Sequence, residues 1–444
     1  MHIPSHNLPR ALAVAGWLVL AACGGADTAT PESGTAIPES GIATPESGAG
    51  TPETGSVTPE SGTPPPESTI TVPELLLIDG AHVARVRDSL RRGEPEFGQA
   101  LTALEVDADS VLNMEPVSVM DKGVTPPSGD QHDYMSQAPY WWPDPSEADG
   151  KPYIRRDGER NPEIESITDR ENLERVARSV SSLALASYFT GRQEYAQHAA
   201  RLVRVWFLDA DTRMDPHLQF GQGIPGIAEG RGEGIIETRF LLNIIDGVTL
   251  LQGSPAWTVS DDQALKDWMR AYLQWLVESP RGADVADRDN NQETWYDLQI
   301  VALALYTGQT EVARTTLEAA QAEIGEQFRP DGSQPHELER TRAWDYSIFN
   351  LTAFLHLARL GEPLDVDLWN FRTPDGSSLQ QGVEYLVPFA TGERHFPDEQ
   401  ITEFDPSELH PVLRWAAVGW NEPRYRELAL QIGGGTSTLE LTVP

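Results

Sequence analysis

"YFTGRQEYAQHAARL", Tyr188 to Leu202, and "LYTGQTEVARTTLEA", Leu305 to Ala319, repeat one pattern, and the fold follows from it. In each, an apolar run ends in Thr-Gly (Thr190-Gly191 and Thr307-Gly308), and a second run opens with Glu-x-Ala. Glycine just past a helix end tolerates the left-handed backbone that stops a helix, so each copy predicts an antiparallel helical hairpin. Apolar residues at three- and four-residue spacing return in "ELLLIDGAHVARVRDSLRRG", "FGQALTALEVDADSVLN", "ETRFLLNIIDGVTLLQG", "DDQALKDWMRAYLQWLVES", "YSIFNLTAFLHLARLG" and "ELHPVLRWAAVGW". No comparable series of alternating strands is present. The expected fold class is all-α, and repeated hairpins suggest an (α/α) toroid or incomplete α/α barrel whose loops gather at one end. Two amphipathic hairpins can also resemble each other by chance; the all-helical reading stands without the repeat.

The chain divides by composition into residues 1–23, 24–70 and 71–444. The first part has Arg10, the apolar run "ALAVAGWLVLAA" and Cys23 after Leu20, Ala21 and Ala22, which reads as an export signal. "LAAC" resembles the bacterial lipobox, which implies lipid attachment at Cys23, membrane tethering through that lipid, and a periplasmic or outer-membrane location. An ordinary secretory signal with an incidental cysteine is the alternative. From Thr30 to Gly62 the units "TPESG", "IPESG" and "TPETG" recur. Proline in every unit blocks helix, glycine loosens the joints and glutamate adds self-repulsion, so the segment is expected to be a disordered spacer.

The full sequence of 444 residues carries 12 Trp, 11 Tyr and 12 Phe, enough aromatic mass for a sizeable core. A formal net charge of -35 argues against nucleic acid as a partner. An acidic ligand would need a local island of Arg, His and amide side chains. The single cysteine excludes an intrachain disulfide and a multi-cysteine zinc site. No metal and no cofactor is expected, and a monomer is.

Four polar, aromatic-rich segments between helices are the candidates for chemistry: Gln131–Glu163, Arg213–Arg239, "RDNNQETWYD" from Arg288, and Arg329–Ser347. Tyr140, Trp141 and Trp142 are consecutive, and sugar rings stack on aromatic faces; a staple holding the loop to the core is the plainer reading. Asn290 and Asn291 suit a helix N-cap as well as a ligand site. "EGRGEG" is too glycine-rich for a helix interior and lets backbone N–H groups approach an anion, with Arg231 and Arg239 as candidate carboxylate partners. Glu229, Glu233 and Glu237 weigh against that cradle.

Together, "YMSQAPYWWPDP", "IPGIAEGRGEGIIETR", "NNQETWYDLQIVALALYTG" and "DGSQPHELERTRAWDYS" resemble the alginate lyase family of α/α-toroid polysaccharide lyases, over about Asp133 to Leu360. The resemblance implies β-elimination of a 4-linked polyuronate, an acidic polysaccharide such as alginate, polymannuronate or glucuronan. A base removes the C5 proton beside a carboxylate whose charge must first be neutralised. It places an Asn-His pair on that carboxylate, matching Asn291 and, in departure from the family, Gln292. It matches Tyr346 to the family's catalytic tyrosine, with Arg340 or Arg342 nearby to lower its pKa. Substrate contacts are expected from Tyr140, Trp141, Trp142, Arg231, Arg239, Asn290, Tyr296 and Arg342, and His217 or His336 is a candidate for the missing imidazole. Two alternatives stand beside this reading. One is a glycoside hydrolase on the same toroid, drawing on Glu233, Glu237, Glu337, Asp297 and Asp345. The other is a lipid-anchored glycan-binding protein without catalysis.

Overall fold

The computed structural model describes residues 71–435 and 437–444. The expected signal, Cys23 and the spacer lie outside the described residues. Helices α1 (Gly80–Arg91) and α2 (Gly98–Val111) precede the first hairpin, α3 (Asp169–Thr190) with α4 (Gln193–Val203). Then come α5 (Leu241–Leu250), α6 (Val259–Glu278) and the short α7 (Pro280–Val285), followed by the second hairpin, α8 (Asn291–Tyr306) with α9 (Thr310–Gln327). The one-turn α10 (Pro335–Leu338) leads to α11 (Ala343–Gly361), α12 (Leu379–Ala390), α13 (His410–Gly419), α14 (Pro423–Ile432) and α15 (Ser437–Thr442). Gly191 and Gly308 have φ of 76° and 78°, the left-handed stop that both hairpins require.

Helices α3, α5, α8, α11 and α13 pack one on the next, while α4 backs α3, α6 and α9 back α8, and α14 backs α13. That succession of inner and outer helices is the α/α toroid. Its centre explains why α8 is buried on almost every face: Trp295, Leu298, Val301, Ala302 and Leu303 all lie inside. Trp295 stacks on Phe349 of α11 with ring centroids 4.7 Å apart. Such a pair is worth roughly 0.5–1.5 kcal/mol beyond its area burial, and it fixes α8 against the helix that carries Tyr346. Behind them, the Asn350 side-chain nitrogen donates to Gln327 and Gln334, both at 2.9 Å, which ties α11 to the end of α9 and to the segment before α10. At the N-terminal edge, Asp246 of α5 accepts from the Leu76 and Leu77 amides at 2.5 and 2.8 Å. Arg359 of α11 donates to the Ile78 carbonyl at 2.6 Å. Among the described residues, no helix is long and apolar enough to cross a membrane.

The loops hold more structure than the sequence suggests. Strand β1 (Met135–Gln137) pairs parallel with β4 (Phe220–Gly223), and β2 (Trp141–Trp142) pairs antiparallel with β3 (Ile154–Arg155). Segments this short carry too few residues to show alternation. The glycine-rich stretch is also not a loose anion cradle, because Gly232–Phe240 is a 3-10 helix. Its glycines serve close packing: a Cβ on Gly234 would lie 2.7 Å from the Gly221 backbone, and one on Gly232 would lie 2.6 Å from Asp284 Oδ2.

Candidate active site

The four polar segments converge on one cleft of about 490 Å3. Tyr140 and Trp141 come from the first segment, and Arg231, Glu233, Glu237 and Arg239 from the second. The N-terminus of α8 contributes Asn290, Asn291 and Gln292, and the α10–α11 region contributes His336, Arg340, Arg342, Asp345 and Tyr346. Arg155, Arg170 and Arg288 add to the same wall. The lining therefore has more guanidinium groups than its carboxylates Glu233, Glu237, Glu339 and Asp345 can neutralise. This is the cationic island that an acidic ligand needs in so acidic a protein.

Tyr346 stands at the first turn of α11, where its hydroxyl donates to Tyr140 Oη at 3.1 Å. The guanidinium of Arg340 lies over the Tyr346 ring, 3.9 Å from its centroid. Burial and the neighbouring Tyr140 raise the phenol's pKa, and the pull of Arg340 does not offset them. The neighbouring Arg340 lowers the phenol's pKa as expected, but burial and Tyr140 outweigh it, so the net shift is upward. Arg342 is paired with Asp345, and its charge also acts on Tyr140 and Tyr346. Arg340 is held by Asp157, which accepts from it at 2.9 and 3.1 Å. Burial pushes the Asp157 carboxyl up, yet Arg340 and Arg155 outweigh it and hold it at about 2. Asp157 follows β3, so this clasp ties the loop bearing Tyr140 to the segment bearing Tyr346.

The amide block has a divided role. Asn290 is the N-cap of α8, its side chain accepting from the Gln292 backbone at 3.0 Å. Asn291 is buried, and its amide donates to Glu337. Gln292 is half-buried, lines the cleft, and forms no side-chain hydrogen bond among the described residues. Arg231 donates to Gln222 at 2.7 Å and pairs with Glu233 at 3.1 Å. Gln222 adopts φ 49°, and its backbone donates to Ser136, which in turn donates to Glu237 at 2.6 Å. Arg239 is different: it stacks on Phe240, makes one hydrogen bond to the Ile236 carbonyl, and has no carboxylate within ion-pair distance among the described residues.

Three expected substrate contacts fall outside the cleft lining. Trp142 points away along β2, donating to the Glu159 carbonyl at 3.0 Å beneath Arg156. Tyr296 is buried and donates to the Leu276 carbonyl at 3.0 Å. His217 pairs with Asp133 at 2.9 Å, close to Asp215 and the Trp275 ring. His336 does line the cleft, 3.5 Å from Asp289. The carboxylates considered for hydrolysis are occupied or hidden. Glu233 and Asp345 are in ion pairs, Glu237 accepts from Tyr134 and Ser136, Glu337 lies behind Asn291, and Asp297 is buried in α8. Sequence reasoning missed Arg170, Asp157 and the Glu337–Asn291 contact. Asp157 sits inside the candidate segment Gln131–Glu163, but its partner Arg340 is far along the chain.

The fold and cleft define a polysaccharide lyase on an α/α toroid, and residues 118–396 match the family model for alginate lyase. The chain belongs to the alginate lyase family. An alginate lyase from Bacteroides ovatus is 38% identical with a TM-score of 0.80, covering 84% of this chain and 99% of its own. More distant matches share the fold. Alginate lyase A1-III complexed with tetrasaccharide has a TM-score of 0.54 at 15% identity, covering 86% of this chain and 99% of its own, as a histidine-to-alanine variant. The tyrosine-to-phenylalanine variant with the same ligand has a TM-score of 0.51 at 15% identity and the same coverage. No curated protein matches the sequence.

Proposed function

We propose that this lyase cleaves alginate or a related 4-linked polyuronate, with Tyr346 as both base and acid. The supporting observation is the Tyr346 hydroxyl in an arginine-lined cleft, beside Tyr140 and Arg340 and opposite the amides at the start of α8. The phenolate takes the C5 proton, the electron pair forms the C4–C5 double bond, and the C4–O4 bond breaks. The proton then passes from the phenol to the departing O4, which restores the base. Arg239, Gln292 and Asn291 neutralise the uronate carboxylate, and Arg340 holds Tyr346 in place. One group on one face of the sugar suits mannuronate, where the C5 proton and O4 are syn. A polyuronate panel tests this. Elimination gives a conjugated product absorbing in the near ultraviolet, hydrolysis gives reducing ends without it, and absence of both sinks the catalytic reading.

Gln292→Ala should lower turnover strongly at an unchanged thermal midpoint, since the Gln292 side chain lines the cleft and forms no hydrogen bond among the described residues. A hydrogen bond to a charged group is worth roughly 1.5–3 kcal/mol. Asn290→Ala should do the reverse, costing about 1 kcal/mol of stability through the lost cap. A Gln292→Ala variant with unaltered kinetics on a confirmed substrate removes Gln292 from the site. Gln292→His should be tolerated and tests whether an added imidazole extends activity to a uronate of the opposite C5 configuration.

The location is proposed from the lipobox resemblance: an exported lipoprotein held to a membrane through Cys23. Cys23→Ser should move the protein from the membrane to the soluble fraction with its specific activity kept, as fractionation and assay would show.

A further inference from the structure

Asn291 is oriented from behind the cleft. Its backbone N–H donates to Glu337 Oε1 at 2.7 Å, and its side-chain Nδ2 lies 2.9 Å from Oε1 and 2.7 Å from Oε2. Glu337 is 1% exposed and Asn291 2%, so water does not replace these contacts. An ionised carboxylate only accepts hydrogen bonds, and so it selects the nitrogen end of the amide. The end left over is Oδ1, which receives no hydrogen bond among the described residues, on a residue that borders the cleft. A uronate carboxylate is also acceptor-only. With Glu337 ionised, the free end of the amide and the ligand repel.

We propose that Glu337 is the positioning residue for Asn291, and that binding of a uronate carboxylate is coupled to uptake of one proton by Glu337 and to a half-turn of the Asn291 amide. The inference rests on the lyase reading above. In the protonated state one carboxyl oxygen still accepts the Asn291 backbone N–H. The other, now an O–H, donates to Oδ1, and Nδ2 turns to donate to the ligand. Solvent supplies the proton, and no covalent bond other than its O–H is made. The two ends of an amide are nearly equal in size, so the turn needs no movement of α8.

The surrounding charges leave the proton within reach. Burial raises the Glu337 carboxyl, the Asn291 donors and Arg340 oppose that, Asp289 adds to it, and the result is about 7. The positive N-terminal end of α8 favours the anion. His336 and Glu339 flank Glu337 on its own segment, His336 facing Asp289. Tyr346 is on the far side of Arg340. An arriving carboxylate adds a like charge and raises the Glu337 proton affinity further.

Calorimetric titration of a saturated mannuronate tetrasaccharide at pH 8, in two buffers of different ionisation enthalpy, tests this on protein carrying Tyr346→Phe to prevent turnover. The expected result is uptake of about one proton per ligand bound, with affinity weakening about tenfold per pH unit above neutrality. Adding Glu337→Gln should leave binding in place, abolish the uptake and flatten the pH dependence. The glutamine offers its carbonyl to the backbone N–H and its own N–H to Oδ1 permanently. Binding without uptake overturns the inference, as does undiminished uptake in the glutamine variant or loss of binding by a folded glutamine variant at every pH. Uptake by the Tyr346→Phe parent decides the matter alone should the glutamine variant fail to fold. No binding of any uronate oligosaccharide by that parent sinks the lyase reading, and this inference with it.

Discussion

Tyr346→Phe is expected to leave the fold intact and to lower turnover on the preferred polyuronate by ~100- to 10,000-fold, the usual contribution of a general acid-base group. The substitution removes a hydroxyl and one hydrogen bond of 3.1 Å to Tyr140, while the ring keeps its place under Arg340. The stability cost should be about 1 kcal/mol or less, so a thermal midpoint near wild type beside a collapsed rate identifies the hydroxyl as chemical. The raised pKa adds a second signature. Burial and Tyr140 disfavour the phenolate, so at neutral pH most molecules hold the acid form and few hold the base. Each unit of pH above neutrality then raises the phenolate fraction about tenfold, and kcat should climb with pH in the wild type. If Glu337 must take up a proton on binding, KM rises over the same range, which separates the two titrations. Near-normal activity in the Phe variant moves the base elsewhere, and His336 is the imidazole in the same cleft.

Much of the fold was legible because its signals are local. Gly191 and Gly308 stop helices by their own backbone freedom, whatever lies around them, and the 3.6-residue period marks each helix independently. The gathering of polar segments into a cleft follows from hairpins that return to the same end. What could not be read is the direction in which individual side chains turn. Trp141 and Trp142 looked equivalent as sequence, but in strand β2 consecutive residues face opposite ways, so only Trp141 meets the cleft. Tyr296 follows Asn291 by five helical positions and so sits on another face of α8, against α6. Arg340 and Arg342 looked interchangeable until their partners, Asp157 and Asp345, separated them. Asn290 suits a cap or a ligand site as sequence, and its side chain caps α8. For Tyr296 and Arg340 the deciding contact is with a residue distant along the chain, Leu276 or Asp157, that the local sequence does not specify.

Arg239→Met is expected to cut kcat/KM by about 30-fold or more while the thermal midpoint holds or rises. Arg239 is 5% exposed, stacked on Phe240 at 4.0 Å and near Phe349 at 5.7 Å. Its one hydrogen bond goes to the Ile236 carbonyl at 2.9 Å, and no carboxylate among the described residues pairs with it. Burial lowers its pKa to about 10, the mark of a cation kept where its charge costs stability. Methionine fills much of the same apolar slot between the phenyl rings and carries no charge to desolvate, so the fold should gain rather than lose. The ligand should lose a desolvated partner, and truncating one side of a buried, hydrogen-bonded charge pair costs roughly 2–5 kcal/mol. Steady-state kinetics on the preferred polyuronate beside a thermal melt checks both halves. A variant that melts lower and keeps its kcat/KM makes Arg239 a structural residue, and the carboxylate must then be met by Arg231, Arg170 and the amides alone. Lysine at this position should recover only part of the loss, because a point charge on a flexible stem cannot stack between two rings or donate as a planar fork.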